Sequence, residues 1–321
     1  MLPKVDIFVE YRNQSSNMQD SPEKKLRWRD ALVAKVLTER NSPVVSNYWV
    51  AVKLLELTHS GSYGGRPLQL PKRPVDSRML AEARNALLSR GVLTQDKALP
   101  KTLFRIPDAK NVDQAEIMCA IDPFGYLAYL SAMAYHGLTN RLPKVLYFVT
   151  PESGLWRSLA EEKMRKDLGD LFASYQLAEL PQLRHSNIEK LDGMLIEQIR
   201  TKTIGGWRSV RDGALRVTGI GRTFLDMLQR ADLCGGIRHV LEVFEESASP
   251  HLSAIVAELN THGAKVDRVR AGYILEEYCG ISDSRIDAWV IDVSRGGSRK
   301  LDPQAEYSSN FSEKWALSIN V

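Results

Sequence analysis

Residues 126–151, Tyr-Leu-Ala-Tyr-Leu-Ser-Ala-Met-Ala-Tyr-His-Gly-Leu-Thr-Asn-Arg-Leu-Pro-Lys-Val-Leu-Tyr-Phe-Val-Thr-Pro, constrain the fold more than any other stretch. Small side chains lead up to Gly137, and an apolar, β-branched run at 144–149 follows, bounded by Pro143 and Pro151. The order predicts a helix, a turn and a buried strand. A strand of that kind needs cover on both faces, so this part of the chain belongs to a layered α/β domain.

Composition narrows the class. The chain has 321 residues, 44% hydrophobic and 26% charged, enough apolar material for two ordinary folded domains. No run of about 18 apolar residues occurs, and Met1-Leu-Pro-Lys-Val-Asp-Ile-Phe-Val-Glu10 carries charges where a secretion signal needs an apolar centre. These features predict a cytoplasmic protein with no membrane partner. Cys119, Cys234 and Cys279 lie far apart with no CxxC pair, and the histidines show neither HxxxH nor HExxH spacing. Neither a disulfide framework nor a metal site is predicted. Charge is uneven: residues 1–110 carry 19 Lys and Arg against 11 Asp and Glu, whereas residues 111–321 carry 24 against 28. A basic first part on a mildly acidic second part fits a polyanionic partner for the first alone.

Residues 1–22 pass from Val5-Asp-Ile-Phe-Val-Glu10 into a polar stretch and read as an arm and linker. After Pro22, the four-residue repeat of Trp28, Leu32 and Val36 predicts a helix over about 23–40. Ser46 is placed to cap a second helix reaching about residue 59, ended by the Gly61-Ser-Tyr-Gly-Gly65 loop. Asp76 is placed to cap a third that runs through Arg90 and stops at Gly91. Val92-Leu-Thr94 and Leu103-Phe-Arg-Ile106 then read as two strands around a polar turn at 95–100. Three helices followed by a β-ribbon is the order of a winged helix-turn-helix, placed over residues 23–107. The stretch 107–113 reads as a linker between two parts with separate cores, and residues 113–321 as a mixed α/β domain, so the fold class is α+β. Helices are expected near 113–120, 123–137, 152–174, 221–230, 235–247 and 250–262, with strands at 144–149, 194–199, 214–218 and 315–320.

At about 100° per residue, the third helix sorts into two faces. Met79, Leu80, Ala83, Ala86 and Leu87 share the side expected to be buried, and Ser77, Arg78, Ala81, Arg84 and Asn85 the opposite one. That second face suits a DNA groove, because Arg bonds bidentately to guanine, Asn to adenine, and Ser and Ala allow close approach. Lys72 and Arg73 before the helix, and Lys97 and Lys101 in the ribbon, sit where such domains touch phosphate. Arg90 falls on the buried side of the wheel, which favours a structural role at the helix end over a phosphate contact at the rim. One short helix reads only a few base pairs, so the expected partner is operator double-stranded DNA with repeated half-sites.

Other chemistries have weaker handles. Gly219-Ile-Gly221 opens like a dinucleotide fingerprint but lacks the third glycine and a following acidic residue at the needed distance. Asp283, Asp287 and Asp292 with Glu161-Glu-Lys163 invite a metal-dependent nuclease reading, yet residues 155–173 read as a charged helix, not as a strand presenting carboxylate and lysine together. Arg222 and Asp226, four apart, suit an intrahelical ion pair. No GxSxG, SxxK or P-loop is present, and no catalytic residue or cofactor is assigned. Arg295-Gly-Gly-Ser-Arg299-Lys300 reads most simply as a flexible basic loop, and secondarily as an anion nest contacting phosphate.

Three groups of residues carry a family resemblance: Ser131-Ala-Met-Ala-x-His136-Gly-Leu-Thr139; Arg222-Thr-Phe-Leu-Asp226 with Gly235-Gly236; and Lys300-Leu-Asp-Pro with Trp315-Ala-Leu-Ser-Ile-Asn320. In order and spacing they resemble the AbiEi antitoxins of type IV toxin–antitoxin, phage-defence systems. The turn at Gly219-Ile-Gly221 departs from relatives, which more often carry a Ser/Pro/Glu-type turn there. The resemblance implies a regulator and not an enzyme: a winged helix that represses its own operon, and a C-terminal antitoxin domain that counters a nucleotidyltransferase-like toxin. Its rivals are a ligand-responsive transcriptional regulator without a toxin, and a metal-dependent nuclease or nucleotidyltransferase partner in phage defence.

Overall fold

Side-chain caps set the second and third helices. The computed structural model describes residues 25–39, 41–107, 112–294 and 299–321; the expected arm at 1–22 and Arg295 lie outside them. A two-residue strand β1 (Leu26–Arg27) runs into α1 (Trp28–Glu39), which buries Trp28, Ala31, Leu32 and Val36 on one stripe. Strand β2 (Val44–Ser46) leads to α2 (Asn47–Ser60), where the Ser46 hydroxyl accepts the Trp49 N–H at 3.2 Å and Gly61 ends the helix at φ 64°. Helix α3 (Ser77–Ser89) is capped by Asp76, which accepts the Met79 N–H at 2.7 Å.

Two expectations fail here for local reasons. Gly64-Gly65 is not a plain loop but the turn of a hairpin between β3 (Ser62–Tyr63) and β4 (Arg66–Gln69), with both glycines at positive φ, and β1 pairs parallel to β4. Val92 and Leu93 form no strand, because their N–H groups both bond to the Leu87 carbonyl, at 3.0 and 3.3 Å, and close the end of α3. Only Thr94 bridges to Arg105, while β5 (Leu103–Arg105) pairs antiparallel with β2 instead.

The C-terminal part begins with α4 (Gln114–Ile121), capped by Asp113. The expected helix at 123–137 is half strand: β6 (Tyr126–Leu127) pairs with the chain at 148–149, and α5 spans only Tyr129–Tyr135. Gly125 lies so close to Phe148 that a Cβ would sit 2.1 Å from its ring, which fixes the entry to β6. Strand β7 (Val145–Pro151) pairs parallel with β9 (Met194–Thr201) across a crossover made of α6 (Ser153–Leu168) and α7 (Phe172–Leu177). The expected helix at 152–174 thus breaks at Gly169, which stands at φ 50°. With β8 (Lys190–Leu191), β10 (Trp207–Val210) and β11 (Leu215–Thr218), the sheet has six strands in the order β10-β11-β6-β7-β9-β8.

Helices α8 (Ile220–Gln229) and α9 (Ile237–His262) pack on each other, with α8 also against α5, and are followed by α10 (Lys265–Gly272), a π-helical stretch at Tyr273–Tyr278 and α11 (Ser284–Asp287). The two helices expected at 235–247 and 250–262 are the single helix α9 with Pro250 inside. Proline removes one backbone bond; the buried stripe of Phe244, Ala248, Ile255 and Leu259 continues through it and holds both halves together. Strand β13 (Leu317–Ser318), shorter than the expected strand at 315–320, pairs antiparallel with β12 (Phe311–Ser312) and bridges in parallel to Lys300 through Ser318. No helix among the described residues is long and apolar enough to cross a membrane.

The apolar cores do not part at 107–113, contrary to the expectation of separate ones. Met164, Leu168, Tyr175 and Leu180 belong to the same buried cluster as Leu32, Leu54 and Phe104, and Val44 and Leu103 join the cluster around Phe148. Tyr48 donates its hydroxyl to Asp167 at 3.0 Å, and Arg105 bonds Asp192 at 2.8 Å across the same boundary. Residues 109–321 expressed alone should therefore unfold at clearly lower urea than the whole chain. Exposing several Met, Leu and Tyr side chains at about 1.5–3 kcal/mol each puts the loss at several kcal/mol. A fragment as stable as the full chain would show that the shared cluster contributes nothing.

Candidate nucleic-acid interface

Helix α3 holds its buried face as the wheel predicts, with Met79, Leu80, Ala83 and Leu87 in the core and Ala86 partly covered. On the other side Ser77, Arg78 and Asn85 are exposed, and Ala81 and Arg84 half-buried. The structure thus brings these five residues onto one accessible strip.

The expected phosphate contacts fall into two groups once ion pairs are considered. Lys72 is exposed on the approach to α3, and Lys97 and Lys101 are exposed in the turn between Thr94 and β5. None of these lysines, and neither Arg78 nor Arg84, has an ion-pair partner among the described residues. Arg73 does: its guanidinium donates to Glu82 on α3 at 2.8 Å. Glu82 also accepts from Arg29 of α1 at 2.7 Å, and the two arginine bonds, that of Arg29 foremost, hold its carboxyl below the usual range. Arg90 is exposed and ion-paired to Asp30 of α1, tying the end of α3 to α1. Arg105 bonds Asp96, whose own carboxylate accepts the Ala98 N–H and shapes the turn that carries Lys97.

Sequence reasoning assigned no role to Arg27 or Arg29. Both flank the start of α1 beside a hollow of about 410 Å³ that also touches Glu82 and Arg90 of the α3 region. The signal was present in Arg27-Trp-Arg29, but the partner of Arg29 lies 53 residues away and no local spacing reports it.

The C-terminal basic loop is different. Arg299 donates to the Asp292 carbonyl at 2.9 Å and Lys300 to the Ala305 carbonyl at 2.7 Å, so both charges serve the chain's own backbone. The acids that suggested a nuclease are dispersed among partners of their own. Asp283 caps α11 and binds Arg285, Asp287 meets Lys314 at 3.1 Å, Asp292 binds Arg268 at 2.6 Å, and Glu161 binds Arg165 at 2.7 Å. No group of His, Cys, Asp or Glu suited to a metal ion occurs among the described residues. Gly221 has a packing reason: a Cβ there would lie 2.3 Å from the Ala254 carbonyl oxygen, so the glycine lets α8 close on α9. Cys119, Cys234 and Cys279 are free thiols.

No protein-family model matches this chain, and no curated protein matches it.

The unpaired cations of the α3 face and those of the turn should behave differently. Arg78→Ala is expected to cost about 1–3 kcal/mol in DNA binding and to relax preference at one base position, whereas Lys97→Ala weakens all sequences alike and lowers the salt slope by about one. Gel-shift titrations of the upstream region with both variants test this. Unchanged affinity in the combined Arg78→Ala/Arg84→Ala protein removes α3 as the reader.

Proposed function

We propose that the chain is a DNA-binding antitoxin that represses its own operon and counters a nucleotidyltransferase-like toxin, as its resemblance to the AbiEi family implies. The observation that carries the DNA half is the accessible strip of α3, where Arg78, Arg84 and Asn85 stand without carboxylate partners among the described residues. Basic side chains left unpaired beside an amide and two small residues are what groove recognition uses.

Chain order supports a winged helix reading of residues 25–107. Helix α1, strand β2, helices α2 and α3, the Thr94 bridge and β5 returning to β2 follow one another as a helix-turn-helix with a ribbon would. One feature is unusual: a hairpin, β3–β4, fills the connection between α2 and α3, where helix-turn-helix proteins commonly use a turn of about three or four residues.

The antitoxin half rests on the family-like motifs of the C-terminal part. Footprinting upstream of the gene should show protected half-sites spaced by whole turns of about 10–10.5 base pairs. Co-expression with a neighbouring nucleotidyltransferase-like toxin should restore growth. A chain that protects no upstream DNA overturns the repressor reading, and one that never relieves the toxin overturns the antitoxin reading.

A ligand-responsive regulator without a toxin draws on one observation, a hollow of about 850 Å³ between the first turn of α2, residues 100–103 and the segment 176–187. A metabolite that raises the melting temperature and changes operator affinity would favour it.

A further inference from the structure

We propose that a second phosphate-contacting site flanks α3 on its α1 side, formed by Arg27, Arg29 and Arg73, and that Glu82 occupies it in the free chain as an internal stand-in for a DNA backbone phosphate. The inference rests on the DNA-binding reading and adds the strand contact that this reading leaves out.

Two guanidiniums from different elements converge on one carboxylate. Arg29, in the first turn of α1, and Arg73, on the approach to α3, reach Glu82 Oε2 and Oε1 at 2.7 and 2.8 Å. A guanidinium presents the same fork to carboxylate and to phosphate, so a pair that closes on Glu82 is shaped for either. Arg73 Nε is buried and has no hydrogen-bond partner, a donor that Glu82 does not use. Arg27 lines the hollow, is exposed and has no ion-pair partner among the described residues. Counting Arg90 and its partner Asp30, four guanidiniums face two carboxylates, and the surplus charge is positive.

Position completes the argument. Glu82 follows Arg78 by four residues and precedes Asn85 by three, so it is their neighbour on the surface of α3. A phosphate on Arg29 and Arg73 would lie beside the bases that Arg78 and Asn85 address, as a strand passing along the groove requires. The side chains of Arg29 and Arg73 are 50% and 30% exposed, and solvent-screened pairs of this kind exchange partners at little cost. Glu82 thereby suppresses unspecific contacts until a duplex phosphate displaces it.

The test is a salt titration of the full chain on a duplex from its upstream region. Arg27→Ala and Arg29→Ala should each lower the slope of log K against log salt by about one and leave base preference unchanged. Glu82→Gln should tighten binding severalfold and steepen the slope, and that gain should vanish in the Arg29→Ala/Arg73→Ala background, because Glu82 acts through these two arginines. Melting temperatures confirm that each variant folds. If wild type binds but the Arg27→Ala/Arg29→Ala protein keeps the wild-type slope, the site is absent while the α3 reading stands. A Glu82→Gln gain that persists without the two arginines reduces Glu82 to general repulsion and overturns the stand-in role. Wild type that binds no duplex overturns both.

Discussion

The crossover between β7 and β9 fixes where the rest of the chain sits. Two parallel neighbours cannot be joined by a tight turn, so the connection must leave the sheet and return, and here it does so as α6 and α7. Helix α6 carries one buried stripe, Trp156, Ala160, Met164 and Leu168, at four-residue spacing. Its first half faces the sheet side, where the Trp156 indole donates to buried Asp122 at 3.1 Å and packs edge-on against Phe124. Its second half, with Tyr175 of α7, completes the core of the N-terminal helices, and the edge contact between Tyr48 and Tyr175 at 5.9 Å joins α2 to it. One helix thus serves two bodies. Helix α3, packed on α1 and α2, thus belongs to a core that the crossover helices α6 and α7 complete.

Much of this was legible where the controlling interactions are local. Ser46 and Asp76 cap the helices their positions suggest, and each bond spans three residues. The segments 194–199 and 144–149 read as strands, and β9 (Met194–Thr201) and β7 (Val145–Pro151) form there. Legibility failed where a distant partner decides. Tyr126-Leu127 continues a helical pattern toward Tyr135 and becomes a strand only because Phe148-Val149 and Val217 offer backbone on either side. Val92-Leu93 has strand composition, but the open carbonyl of Leu87 takes its N–H groups first. The break expected between 247 and 250 does not form, because the packing of α9 on α8, with Phe224 and Phe244 at 4.9 Å, carries the helix through Pro250.

The two faces of α3 were legible by the same measure. Faces of α3 follow from its period alone, and the strip from Ser77 to Asn85 needed no tertiary information. Which cations are free did not follow. Arg73 and Arg78 look equivalent in sequence, yet one is closed on Glu82 and the other is open. Arg299 and Lys300 look like a basic loop and are spent on the backbone carbonyls of Asp292 and Ala305. A count of basic residues therefore overstates the charge that the C-terminal part leaves open.

The motifs that resemble the AbiEi family hold the C-terminal fold together. Ser131 accepts the Tyr147 N–H at 2.9 Å and ties α5 to β7, and His136 sits 2.7 Å from the Thr218 carbonyl at the end of β11. Arg222 bonds Asp226 at 2.8 Å inside α8, where burial pushes the aspartate up to about 6 against the pull of the arginine. Gly235 and Gly236 both stand at φ 90° and turn the chain into α9, a conformation side chains resist. Trp315 lies so close to Gly272 that a Cβ there would come within 2.2 Å of the indole, whose N–H donates to Glu276 at 3.0 Å in the π-helical stretch. Residues spent on buried bonds, turns and close packing cannot also present themselves to a partner. What they would transmit across a family is a scaffold, and any action against a toxin has to come from the surface that this scaffold displays.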